Sequence, residues 1–401
     1  MKIDRFNSLL SQTIMKIAAF EGFYGGSHRK WLDGFAEHSK HDVRVFHLPD
    51  RFWKWRMHGG AITLARQFNA TEFTPDYLLV TDMIDLNVLL SLTRKRTAQV
   101  PVIFYFHENQ INYPWSDIDR DVKYQRDHHY GFINYASALA ADKVLFNSPY
   151  HKDAFIGALP RFLKMFPDFQ NAGTIEEIEQ KSHVLPIGVN LTAFDTSRMT
   201  DTAVVPGDSA IPNIAGQSDV PADNADGNRI PVILWNHRWE FDKSPQMFFE
   251  VVHHLHTEGL AFELIVCGER TEIYPGIFDE VKESLKKHII FWGYADNFQQ
   301  YANLLFKADI LPVTSNQDFF GISAVEAMHC DVFPLLPNRL AFPGHIPDDH
   351  RATHLYSDAN DLTERLISLL RFGVPEHRSS EWVGKYDWGR IIGEYDVFFG
   401  G

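Results

Sequence analysis

Twice along this chain, short apolar runs alternate with amphipathic stretches, and one segment between the two arrays can form neither. In the first array Ile17–Phe20, Val43–His47, Tyr77–Val80, Val102–Phe106 and Lys143–Phe146 read as buried strands, with helical stretches such as Ser27–Ser39 and Asp119–Ala141 among them. In the second, Val232–Trp235, Glu263–Cys267, Ile289–Trp292, Ile310–Val313 and Val332–Leu335 read as strands; Pro245–His256, Phe298–Lys307, Ile322–His329 and Ala359–Phe372 read as helices. Alternation of this kind predicts an α/β chain with two doubly wound, Rossmann-like parallel sheets, each covered by helices on both faces. The stretch Thr200–Asn228 has no aromatic and no basic residue and is rich in Gly, Pro, Ser, Ala and Asp, the composition of a linker or loop. The expected organisation is an N-terminal extension over 1–14, a domain over 15–199, a flexible acidic linker over 200–229 and a second domain over 230–401 whose C-terminal segment returns to the first. A ligand cleft belongs between the two sheets, at the carboxyl ends of their strands.

Two cysteines, Cys267 and Cys330, rule out a disulfide framework, and no CxxC pair is present for zinc. No apolar run approaches the roughly 18 residues of a membrane span. Residues 1–14 hold polar residues throughout and lack the apolar stretch of a signal peptide, whereas Met15 opens MKIAAF, a first buried strand. Met15 reads as a natural start, or the segment before it as a frayed extension, and the chain reads as cytoplasmic. The net charge of −14 is unevenly spread: residues 1–199 carry 23 Lys and Arg against 22 Asp and Glu, residues 200–229 one against five, and residues 230–401 14 against 25. A polyanion that binds outside a small pocket would therefore choose the N-terminal half. There, Arg51-Phe52-Trp53-Lys54-Trp55-Arg56 interleaves bases and aromatics, which suits phosphate pairing and base stacking. The same pattern also suits a loop whose Trp rings pack on a core while its cations stay in water.

Four stretches carry candidate chemistry. Glu21-Gly22-Phe23-Tyr24-Gly25-Gly26-Ser27-His28 follows the first strand; adjacent glycines admit a ligand to backbone N–H groups, and Ser27 can cap the next helix. His107-Glu108-Asn109-Gln110 stands at the carboxyl end of a buried strand, where doubly wound sheets place their sites. Arg238 and Lys243, five apart after Val232–Trp235, could hold a diphosphate and stabilise its charge as it leaves; alternatively they pair with Glu240 and Asp242 at the surface. Asp318-Phe319-Phe320-Gly321-Ile322-Ser323-Ala324-Val325-Glu326 sets two acids eight apart around a helix N-terminus that offers free amides to an anion.

Arg238 to Lys243 at that spacing, the acid–acid pattern around Phe-Gly, and Leu185-Pro186-Ile187-Gly188-Val189-Asn190 before the linker together resemble family 4 of the retaining glycosyltransferases. The stretches FEGFYGGSH, HLPDRFWKWR, YFHENQ, WNHRWEFDKSP and DFFGISAVEAM are similar, more narrowly, to the glycosyltransferase-like domain-containing group, over nearly the whole chain from Met15. The resemblance implies a GT-B fold, two Rossmann-like domains facing each other across a cleft. It also implies a metal-independent enzyme that transfers mannose from GDP-mannose to queuosine in a tRNA anticodon loop. It assigns catalysis to His107, Arg238, Lys243 and Asp318, and donor binding to Gly25, Gly26, Arg238, Lys243, Asp318, Phe320, Gly321, Ile322, Ser323 and Glu326. Acceptor binding falls to His28, Arg51, Trp53, Lys54, Trp55, Arg56, Glu108 and Asn109. No metal, resident cofactor or protein partner is implied; the co-substrates are a nucleotide sugar and tRNA. Asp318 stands where most family members carry Glu, His237 where a Gly usually precedes the Arg, and Ile187 where Asn is typical.

Glu108 is the one local carboxylate that could attack an anomeric carbon, and its setting is not that of a nucleophile. Same-face substitution is therefore expected, with the departing diphosphate helping to deprotonate the acceptor. Other readings stay open at this point: a glycosyltransferase acting on a lipid or saccharide, a sugar-nucleotide epimerase on the same two-domain fold, or a nucleotide-sugar or RNA-binding protein without turnover.

Overall fold

A computed structural model describes residues 13–114, 128–201, 229–270 and 274–400. The 200–229 segment, residues 1–12 and the first part of the Asp119–Ala141 stretch fall almost wholly outside the described residues. Among the described residues, twelve strands form two six-stranded sheets. The first comprises β1 (Lys16–Tyr24), β2 (Asp42–Pro49), β3 (Tyr77–Thr81), β4 (Val102–Phe106), β5 (Lys143–Phe146) and β6 (Ser182–Val184), in the order β2-β1-β3-β4-β5-β6. The second comprises β7 (Val232–Trp235), β8 (Glu263–Cys267), β9 (Ile289–Gly293), β10 (Ile310–Pro312), β11 (Phe333–Pro337) and β12 (Leu355–Tyr356), in the order β12-β11-β10-β7-β8-β9. The pairings are parallel.

Central strands such as β4 (VIFYF) and β7 (VILW) are buried at every residue, because helices cover both faces. This explains why they read as unbroken apolar runs. The short edge strands β6 and β12 escape that pattern: β6 is Ser-His-Val and β12 only two residues long. In each sheet the strand order reverses once, between β1 and β3 and between β7 and β10. Those reversals open crevices at the carboxyl ends of four strands.

The chain crosses between the sheets more than once. The Thr192–Asp201 helix leaves the first sheet and lays Phe194 edge-on to Phe298 of the Phe298–Lys307 helix, ring centroids 4.8 Å apart. The C-terminal helix, Trp388–Gly400, packs on Gly26–His38 of the first half. There the Tyr395 hydroxyl donates to Pro186 O (2.6 Å) and accepts from Trp31 Nε1 (2.8 Å). Ser39 Oγ donates to Asp396 Oδ1 at 2.6 Å. Val189 N donates to Tyr386 O (2.8 Å), and Trp388 N donates to Val189 O (3.1 Å), so the LPIGVN stretch is zipped to the chain's last segment.

Gly34 and Gly188 both exist for Trp388: a Cβ on either would overlap the indole ring. Helix propensity alone would make Gly34→Ala stabilising by roughly 0.5–1 kcal/mol. The collision with a buried indole should cost about 1–3 kcal/mol, and it wins. Gly34→Ala is therefore expected to lower the urea midpoint; an unchanged or raised midpoint would show that the helix does not press on this face.

Candidate active site

The first-sheet side of the cleft is built from strand ends. Glu21, inside β1, is fully buried; its Oε1 accepts from Phe23 N (2.7 Å) and its Oε2 faces His28 Nδ1 at 3.2 Å. His28 stands in the first turns of the Gly26–His38 helix, and its ring lies 4.2 Å from that of His107. His107 follows β4. Its N–H donates to Asp82 Oδ1 (2.9 Å), its carbonyl accepts from Asn147 Nδ2 (2.8 Å), and Trp31 packs edge-on to its ring. Burial works against charge on His28, but Glu21, Asp82 and Glu108 outweigh it and lift the imidazole to about 9. Burial, with His28 and His151 adding to it, holds His107 well below the ordinary imidazole range, so that ring is neutral. Its Nε2 is buried without a partner. Burial also pushes Asp82 and Glu108 upward, against the pull of the neighbouring cations.

The second-sheet side uses the loops after β7 and β10, at the second strand-order reversal. Lys243 is buried; its Nζ lies 3.2 Å from Asp242 Oδ2 and 3.1 Å from Asp318 Oδ1, and donates to Gln317 O at 2.9 Å. Desolvation opposes its charge, but Asp318 and Asp242 more than offset this and raise its pKa. Arg238 is half exposed and donates to Glu240 Oε1 at 3.1 Å. Both ion-pair partners expected at the surface are thus present, but the lysine pair is buried. The loop that carries Asp318 is fixed from behind by Arg339, whose guanidinium donates to the carbonyls of Thr314 and Ser315 at 3.3 and 3.0 Å. Gly321 turns the chain at φ +86° into the Ile322–His329 helix, and a Cβ there would press on Phe342.

The two sides meet. Ser148 Oγ donates to Phe319 O at 2.6 Å while it caps its own helix at His151 N, and the His151 ring stacks on Phe319 at 3.9 Å. Tyr113 OH reaches Asp242 Oδ2 at 3.4 Å, and Lys30 Nζ lies 3.7 Å from Glu326 Oε1. Glu326 also accepts from Tyr301 OH at 2.7 Å. Beside it a cavity of about 400 Å³ is walled by Trp31, Phe194, Phe298 and Trp388, with Ile322, Asn190 and Glu326 on its rim.

The structure therefore gathers His28, His107 and Glu108 on one wall, and Arg238, Lys243 and Asp318 on the other. Several details differ from expectation. Ser27 lies inside its helix, which Gly25 begins, and makes no cap. Gly26 does need glycine, at φ +50°, but Gly25 is glycine because the Asp50 carboxylate occupies the place of a Cβ. The Phe320 side chain is taken up by the core against His345 and Tyr386, so only its backbone is left for a donor. Asn109 Oδ1 closes a turn, accepting from Ile111 N and Asn112 N, while its Nδ2 is buried without a partner. Trp53 packs on Tyr130, whereas Phe52 and Trp55 stand 76% and 64% exposed. Phe52 holds φ +53°, a conformation that non-glycine residues avoid. Glu21, Asp82 and Lys30 were not singled out from the sequence. Asp82 follows β3 as His107 follows β4, so the strand-end rule could have found it.

Glu21, His28 and His107 offer atoms within 4.8 Å of one another and are ligand types for a metal. The 3.2 Å Glu21–His28 contact is already satisfied as an ion pair.

Residues 16–189 match the family described as tRNA-queuosine alpha-mannosyltransferase N-terminal, and residues 220–380 match glycosyl transferases group 1. A tRNA-queuosine alpha-mannosyltransferase of Drosophila melanogaster is 33% identical over 356 residues, 88% of this chain and 87% of that protein. A GDP-mannose:cellobiosyl-diphosphopolyprenol alpha-mannosyltransferase of Xanthomonas campestris is 24% identical over 193 residues, 44% of this chain and 49% of that one. Among solved structures, a sucrose-phosphate synthase from Thermosynechococcus elongatus aligns with a TM-score of 0.65 at 14% identity, covering 96% of this chain and 98% of that one, which shows the shared GT-B fold. Strand-end residues on two facing doubly wound sheets, and a relative matched along most of both chains, lead to one assignment: this chain belongs to the tRNA-queuosine α-mannosyltransferase family of glycosyltransferases.

Proposed function

We propose that this chain transfers mannose from GDP-mannose to queuosine in a tRNA anticodon loop, with retention at the anomeric carbon and without a metal or resident cofactor. The observation that carries the reading is the meeting of two sets of residues across one cleft: Arg238 and Lys243 beside the Ile322–His329 helix N-terminus, and neutral His107 opposite. A fixed lysine, an arginine that can turn to the phosphate, and helix amides suit a departing diphosphate as its charge develops. Glu326 and the aromatic-walled cavity suit a nucleoside, with the carboxylate accepting from ribose hydroxyls. Asp318 accepts from sugar hydroxyls, and the diphosphate takes the acceptor proton on the face it leaves. Contact between the two sides through Ser148, His151 and Phe319 helps to keep water from the activated sugar.

The acceptor meets the near-neutral first half. Unpaired anticodon-loop bases stack readily on exposed rings, and Phe52 and Trp55, flanked by Arg51 and Arg56, present such rings at the end of β2. Asp50, in the same loop, abuts Gly25 of the cleft. Among the described residues no helix is long and apolar enough to cross a membrane. The expected setting is the cytoplasm, where tRNA is modified.

The decisive test offers GDP-[¹⁴C]mannose to bulk tRNA prepared with and without queuosine. Label is expected on the queuosine-containing tRNA alone; label on neither would sink the donor or the acceptor assignment, and a donor panel scored by nucleotide release would decide which. Lys243→Ala, checked for folding by circular dichroism, should lower transfer by roughly 10²–10³, the scale of losing one charge-stabilising donor. Near-full turnover would remove Lys243 from the mechanism. Phe52→Ala and Trp55→Ala should each weaken kcat/KM for tRNA by roughly 5- to 100-fold, the worth of one stacked base, and leave acceptor-free donor hydrolysis unchanged. Equal loss in both assays would point to a folding defect instead.

A further inference from the structure

The mechanism above uses His107 but leaves three buried ionisable neighbours unexplained: Glu21, His28 and Asp82. Two imidazoles with ring centroids 4.2 Å apart cannot both hold an extra proton, so their surroundings decide which one does. On the β1 side Glu21 has no exposed surface and turns one oxygen to His28 Nδ1 at 3.2 Å, while Phe23 N–H fixes its other oxygen. No comparable carboxylate contact is made by the His107 ring. Its Asp82 partner accepts from the backbone N–H, and its Nε2 is buried and unpaired.

We propose that Glu21 is a positioning residue of the transfer reaction: it fixes a proton on His28, and the resulting imidazolium, its ring tilted against that of His107, adds to the burial that keeps the second ring neutral, with Nε2 as the group offered to the transferred sugar. The ion pair does two things. A neutral His107 can donate to or accept from a sugar hydroxyl without opposing the positive charge that grows at the anomeric carbon. The His28 charge also offsets three carboxylates that bear on it, Glu21 from β1, Asp82 after β3 and Glu108 after β4, which would otherwise repel a donor diphosphate. On the far side the same wall meets Arg238, which bears on Glu108, and His151, which bears on His107. The lifted His28 imidazole, at about 9, agrees with this arrangement.

The proposal rests on the transfer reading only for the sugar that His107 faces; its first test needs no substrate. The full-length protein labelled with ¹³Cε1-histidine is titrated by NMR, and the His28 signal is assigned by its loss in His28→Asn. In wild type it should titrate near 9, and in Glu21→Gln, which keeps the size and the Phe23 hydrogen bond, below about 7. The functional test is kcat/KM for the nucleotide sugar against pH. Wild type should hold its activity from pH 6 to 8 and lose it above about 9, the direction set by loss of the His28 proton. Glu21→Gln should fall roughly tenfold at pH 8, where its imidazole is mostly uncharged, and recover towards wild type at pH 6. A Glu21→Gln loss that does not recover at low pH, or a wild-type His28 that titrates below 7.5, would overturn the proposal. So would stoichiometric zinc uptake that His28→Asn abolishes, because zinc needs the ring nitrogen that the proton occupies.

Discussion

The second-sheet side of the cleft depends on a lysine ammonium held out of water. Burying such a charge costs several kcal/mol unless good partners repay it. Lys243 has two carboxylates near 3.1 Å and a carbonyl at 2.9 Å. Those partners fix the surrounding backbone in turn. Asp242 accepts from Asn316 through its carbonyl, Thr314 caps the Lys243 and Ser244 carbonyls, and Arg339 ties the same loop to β11. One ion cluster thus locks the loops after β7 and β10 into one unit at the strand-order reversal. Removing the lysine leaves the buried Asp242 and the partly buried Asp318 without their shared cation, so its loss disturbs the site as well as its charge.

The cluster also shows why a cation pair and a surface salt bridge are not rival readings here. Arg238 is half in water, where its pairing with Glu240 is screened and weak, and it can turn to a phosphate at little cost. Lys243 is not free to turn. The two cations five residues apart therefore differ in kind, one fixed and one adjustable, which suits a leaving group whose charge moves as the bond breaks.

The architecture was legible because parallel strands covered on both faces must be apolar at successive positions: Val102–Phe106 and Val232–Trp235 are apolar throughout, and Lys143–Phe146 and Glu263–Cys267 are apolar after a charged first residue. The edge strands β6 and β12 are too short to show that pattern, so Ser182–Val184 and Leu355–Tyr356 were missed, whereas the longer edge strands β2 and β9 were legible. Site residues at strand ends, His107, Arg238 and Asp318, stood out as polar groups following apolar runs. Glu21 opened a candidate stretch but was given no role there, because only the fold brings His28 around to meet it. Side-chain roles were least legible where packing competes with chemistry. Phe320 and Asn109 occupy motif positions, but the core takes the ring and a turn takes the amide oxygen.

The same competition bears on His237, which stands where the resembled family usually carries a glycine before the arginine. An imidazole beside Arg238 and Lys243 looks at first like a third cation for the diphosphate. Burial lowers it to about 4, so it is uncharged at neutral pH. Its Nδ1 meets Ser323 Oγ at 3.0 Å, and Asn236 Nδ2 donates to Ser323 O at 2.7 Å. The segment between β7 and Arg238 therefore braces the first turn of the Ile322–His329 helix from two directions. The side chain contributes placement, not charge: it holds a hydroxyl and the helix N-terminus steady where the phosphates would rest. In the proposed reaction, the charge that would stabilise their departure comes from Arg238, Lys243 and the helix amides.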